Sequence, residues 1–144
     1  MKIVILCAAV LALQCGMAEA QTSSANPLAS SRVFLYEQMT VKRAPNGAEG
    51  RNVFTGTLAT GESVALHETM QPVGTVPNPA HKIEHSELIV VRQGTLEFQH
   101  DGKAERVGPG GIIYVALGTM HGVKNVGDVP AKYVVIQIGG DARK

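Results

Sequence analysis

Residues Ala80 to Gly94 read "AHKIEHSELIVVRQG". The first half concentrates His81, Glu84, His85 and Glu87, all able to hold a cation. The second half, Leu88 to Val91, is unbroken apolar chain ending near a glycine. A run this short, closed by a turn signal, reads as a strand covered on both faces. Side chains two apart on a strand share a face, so His81, Ile83, His85 and Glu87 line one side. Glu84 and Ser86 then turn to solvent. A carboxylate heading a buried apolar strand is costly without a partner, so Glu87 implies a cation beside it.

The chain beyond this stretch repeats the strand signal. Short apolar or alternating runs, "RVFLYEQMTV", "RNVFTGTLA", "ESVALHETM", "TLEFQH", "AERV", "GIIYVAL", "HGVKNV" and "AKYVVIQI", are separated by turns such as "APNG", "QPVG", "HDGK" and "GPGG". Strands at this spacing with turn signals between them point to an all-β sandwich or barrel. Asp101–Gly102 is a hairpin signal joining Thr95–His100 to Lys103–Val107. No run after the first twenty residues shows a long helical period.

The N-terminus carries a different signal. Met1 and Lys2 precede the apolar run Ile3–Leu13, and "AEA" follows at Ala18–Ala20. This is the pattern of an export signal cleaved after Ala20, and the run is too short to span a bilayer. A lipid-attached Cys15 is the second reading. Removing Lys2 and Glu19 with the leader leaves 12 basic and 11 acidic residues, a net charge of +1. That balance disfavours nucleic acid or an anionic membrane as partner. Cys7 and Cys15, the two cysteines, both fall in the leader, so a metal site in the mature chain must use His and carboxylate. The expected organisation is a signal at 1–20, a flexible Ser/Ala/Asn/Pro leader at 21–31, an N-terminal strand arm at 32–50, a barrel at 51–140 and a tail at 141–144.

His121 follows "IIYVAL" and a "GT" turn, so it opens a strand. If that strand lies beside the first, His85, Glu87 and His121 form a two-His-one-carboxylate set suited to iron, manganese, nickel or zinc, with positions left open for a ligand. His81 stands six residues from Glu87, roughly 20 Å along an extended strand. It joins the set only if the chain between them bends, which "NPAHKIEH" permits. His67 in "VALHETM" shares a face with Ala65 and Thr69; it reads first as a satisfied core or surface histidine and otherwise as the candidate to contact a substrate. Gly94, Gly110, Gly118 and Asn125 read as backbone turn devices.

"HKIEHSELIVVRQG" and "GPGGIIYVALGTMHGVKN" resemble the two cupin motifs. In the first, His81, Glu87 and Gly94 match; in the second, Gly110, Gly118, His121 and Asn125 match. Two positions depart: Ala116 stands for the motif's Pro, and Ile83 for its second His. The resemblance covers about residues 61 to 138. It implies a cupin-type double-sheet β-barrel, jelly-roll-like, with a divalent transition metal in its mouth, and often a homodimer. His81, His85, Glu87 and His121 would be the ligands, with His85 taking the place lost at Ile83. The function expected is that of an exported, periplasmic or secreted metalloprotein binding a small oxygen-rich molecule, as oxygenase or isomerase. The alternative is a metal-free, non-catalytic module for a small ligand or a partner.

Overall fold

The computed structural model describes residues 25–142. The expected export signal and the Cys15 position lie outside them. Among the described residues, nine strands form two antiparallel sheets. They are β1 (Val41–Arg43), β2 (Glu49–Thr57), β3 (Ser63–Gln71), β4 (Ser86–Gln93), β5 (Leu96–His100), β6 (Lys103–Val107), β7 (Ile112–Val115), β8 (His121–Asn125) and β9 (Ala131–Ile138). The larger sheet runs β1-β2-β3-β9-β4-β7 and the smaller β6-β5-β8. The all-β, double-sheet, jelly-roll-like architecture expected from the sequence is present.

The turn chemistry explains the local path. Asp101 and Gly102 both take positive φ, 46° and 75°, which suits a tight two-residue hairpin, and His100 pairs with Lys103 across it. Gly94 ends β4 with φ +75° and lies directly on β9. A Cβ there would stand 2.7 Å from Ala131 Cα and 2.9 Å from the Pro130 carbonyl, so only glycine fits.

The core lies between the sheets. Ile89, Val91, Leu96, Phe98, Ile113, Val115, Ala131 and Val135 pack there, with Ile83 joining from the segment ahead of β4. Burial alternates along β4: Glu87, Ile89 and Val91 are buried, Leu88 and Val90 only half-buried. The expectation that both faces of "ELIVV" are covered therefore holds for the inner face only. The outer face of the large sheet is covered in part: the N-terminal arm meets it at β2, through Tyr36 on Arg51 and Phe34 on Phe54, while at β7 Ile112 and Tyr114 stay exposed.

The N-terminal run "RVFLYEQMTV" is not a continuous strand. It forms one 3-10 turn, Tyr36–Gln38, and then the short β1. Side chains tether it to β2 instead of a long ladder: the Phe34 ring lies 5.2 Å from Phe54, and Arg51 sits 4.5 Å over Tyr36.

Gly94→Ala combines forced positive φ with overlap against β9 backbone. It is expected to cost about 2–4 kcal/mol of folding stability, read from the shift in a urea unfolding midpoint. Gly61→Ala, at positive φ but in open space, should cost less.

Candidate functional site

Two backbone hydrogen bonds assemble the site. His81 N–H donates to the His121 carbonyl at 2.9 Å, and His121 N–H donates to the His81 carbonyl at 3.0 Å. This isolated bridge carries the segment before β4 onto the start of β8. The chain turns between Lys82 and His85 and enters β4 at Ser86. The bend shortens what an extended strand would have held far apart. The His81 and His121 rings lie with centroids 4.8 Å apart.

Glu87 is the charged centre of the cluster and only 7% exposed. Its Oε1 accepts from His85 Nε2 at 2.9 Å and from Gln137 Nε2 at 3.1 Å. Its Oε2 lies 3.8 Å from His121 Nε2, beyond hydrogen-bonding distance. His85 uses its other nitrogen as well: Nδ1 donates to Asp141 Oδ1 at 2.5 Å. Carboxylates only accept, so His85 donates from both nitrogens. Burial alone would lower the His85 pKa, but the hydrogen bonds to Asp141 and Glu87, with their charges, outweigh it and raise the pKa.

A cavity of about 240 Å³ opens against this cluster. His81, Glu87 and His121 face it, together with His67, Thr69, Tyr133 and Gln137. His85 does not line it; it sits behind Glu87. Neither Lys nor Arg lines it among the described residues. Burial holds His67 below the usual histidine pKa despite the Glu87 charge, so His67 presents a neutral ring. Burial pushes Tyr133 up to about 12, leaving a phenol whose oxygen accepts from Gln71 Nε2 at 2.9 Å.

The sequence reading missed three contributors. Asp141 and Gln137 lie some fifty residues from their partners and belong to no motif. Tyr133 stands inside the strand signal "AKYVVIQI" with nothing to mark it, yet it lines the cavity. Asn125 acts as the turn device it reads as, through Gly127 N–H on its Oδ1, and does more besides. Its buried side chain donates to the Gln71 and Val129 carbonyls at 3.1 and 2.9 Å and accepts from Gly127 N–H at 2.9 Å, tying β8 to the end of β3. Ile83, at the position of the motif's second His, is 7% exposed and packs into the core.

Among the described residues, no group of three or more His, Cys, Asp or Glu side chains is drawn together tightly enough to hold a metal ion as it stands. The chemistry of the donor set nevertheless fits one. His121 Nδ1 faces the Thr119 carbonyl at 3.1 Å and His81 Nδ1 the Pro79 carbonyl at 3.2 Å. Those carbonyls accept the ring N–H and leave each Nε2 lone pair available, as in metal-binding histidines. A buried carboxylate with one oxygen free of hydrogen-bond donors completes a set of divalent-cation donors.

A family model described as "Cupin domain" matches residues 66–137. No curated protein sequence matches the chain. Among solved structures, the fold is similar to that of KdgF from a Halomonas species, with a TM-score of 0.64, 17% identity, and coverage of 75% of this chain and 94% of that one. A similar match is an RmlC-like cupin from Shewanella frigidimarina NCIMB 400, at 0.62 and 16%, covering 76% and 91%. A third is the polyketide cyclase RemF from Streptomyces resistomycificus, at 0.59 and 20%, covering 76% and 80%. At these identities the likeness is one of fold.

The two perturbed histidines at the cavity cluster act oppositely on the metal-free protein. His85, with a raised pKa, adds stability that is full below pH 6.5 and lost as pH rises through its folded pKa. His67, with a lowered pKa, loses stability as pH falls below 6.5. A stability maximum near pH 6.5 is expected in melting temperatures of chelator-treated protein. Asp141→Asn should flatten its alkaline side and His67→Phe its acid side.

Proposed function

From its membership of the cupin family, to which this chain belongs by the match over residues 66–137, we propose a metal-dependent small-molecule binding function for the cavity. His81, Glu87 and His121, the donors that face the cavity, would hold a divalent transition metal: iron, manganese, nickel or zinc. His85 would join them if Glu87 releases its Nε2. When bound, such a cation acts as a Lewis acid toward ligand oxygens. The observation that carries this reading is a buried carboxylate beside two imidazoles whose Nδ1 atoms already meet carbonyl acceptors.

The chain's own residues would select the ligand. The cavity's volume of about 240 Å³ suits a small molecule, and its rim offers neutral partners in Thr69, Gln71, Asn78 and Tyr133. A small oxygen-rich molecule fits this lining, with His67 as a neutral acceptor or donor toward it. An oxygenase or isomerase reaction remains the corresponding proposal for turnover, with His67 the nearest candidate to move a proton.

A second reading has an observation of its own. Ile83 replaces a motif ligand with a core side chain, and both His85 nitrogens are engaged. The barrel would then be a metal-free module for a small ligand or partner. Export to the periplasm or medium is part of either proposal and is supported by the leader sequence alone.

Elemental analysis of untagged protein, before and after loading with each of the four metals, separates the two. Near-stoichiometric metal that His121→Ala abolishes supports the first reading; none after loading supports the second.

We also propose a homodimer through the outer face of the large sheet. Ile112 and Tyr114, each 63% exposed, adjoin half-buried Leu88, Val90, Val134 and Ile136 there. An apolar patch of this kind favours association. Sedimentation should give a dimer, and Tyr114→Glu should yield a monomer with an unchanged circular dichroism spectrum.

A further inference from the structure

The C-terminal turn reaches back across the molecule to the rear of the cluster. Gly139 N–H donates to the Ser63 carbonyl at 2.7 Å, Asp141 N–H to the Glu84 carbonyl at 3.3 Å, and Ala142 N–H to the Gly139 carbonyl at 3.1 Å. Ala142 is buried at 3% exposure. Gly139 and Gly140 take φ of +75° and +48°. A Cβ on Gly140 would fall 1.6 Å from the Glu84 carbonyl oxygen, so the approach depends on glycine. These contacts are made by backbone. The turn is therefore docked independently of what the Asp141 carboxylate does.

That carboxylate has a specific target. It takes the Nδ1 side of the His85 ring, which turns Nε2 toward Glu87 Oε1. Gln137 meets the same Glu87 oxygen from β9. Both donors thus converge on Oε1, and Oε2 is left on the side of His121 and the cavity. A line of contacts runs from the chain's last described turn to the carboxylate of Glu87, which faces the cavity.

We propose that Asp141 is a positioning residue of the cavity site: through His85 it sets the orientation of Glu87, so that Oε2 is the oxygen offered to a bound cation. This rests on the metal reading above. The tail, which carries no motif, becomes part of the functional unit, and His85 acts from behind the carboxylate.

The test uses the full mature chain with Co²⁺ as probe, followed by its visible absorption and by calorimetry, alongside thermal melting of the cation-free protein. Asp141→Ala is expected to keep a cooperative melt and to bind Co²⁺ about 10-fold or more weakly, with an altered absorption envelope. Asp141→Asn keeps an acceptor oxygen in place without the charge, so its loss should be smaller and its envelope closer to wild type. Wild-type affinity and an unchanged envelope in Asp141→Ala would overturn the proposal while leaving the metal reading intact. Should Asp141→Ala not melt cooperatively, Asp141→Asn decides: wild-type affinity together with a wild-type envelope overturns the proposal. A wild-type protein that takes up no Co²⁺ overturns both the proposal and the reading beneath it.

Discussion

The Glu87 carboxylate lies at the head of a buried strand, and its burial constrains everything near it. Taking such a charge out of water is costly unless hydrogen bonds and opposite charge replace the lost solvation. His85 and Gln137 supply this on one oxygen. The His121 side borders the other, at a separation too long for a hydrogen bond. The carboxylate is thus compensated asymmetrically, with its engaged oxygen toward the protein and its less engaged one toward the cavity. Asp141 extends the arrangement by giving His85 a second acceptor.

The two sheets make this asymmetry possible. The large sheet supplies Glu87 from β4, His67 from β3 and Gln137 from β9, while β8 of the small sheet brings His121 from the opposite wall. The core fills the space beside the cavity with Ile89, Val91, Leu96 and Phe98 and holds the two walls at fixed separation. Asn125 adds a polar clamp between them where apolar packing gives way to loops. Similar folds among solved structures, at 16 to 20% identity, show that this scaffold tolerates extensive change in its side chains. Function follows the residues grafted on it.

Much of the fold was legible because local signals agreed. Positive φ at Asp101 and Gly102 is what a two-residue hairpin needs, and the strands on either side match the apolar runs. The arm at "RVFLYEQMTV" was less legible. Its residues favour a strand, but Phe34 and Tyr36 find partners on β2 that hold the chain off the ladder. In the site, His81, Glu87 and His121 could be named from spacing in two motifs. Asp141, Gln137 and Tyr133 could not, because each owes its place to a pairing or a turn far away in the chain.

The sequence by itself determined the strand order of signals, the turns, the confinement of both cysteines to the first fifteen residues and the identity of the candidate donors, since alternation, glycine placement and residue type are local properties. Only the tertiary structure decided which donors share a space. The His81–His121 bridge is a contact across forty residues, so no local pattern encodes it. The same holds for the burial of Ile83 in the core and for the return of Asp141 to His85: each depends on where two sheets and a tail close on one another, a balance of long-range packing that periodicity does not record.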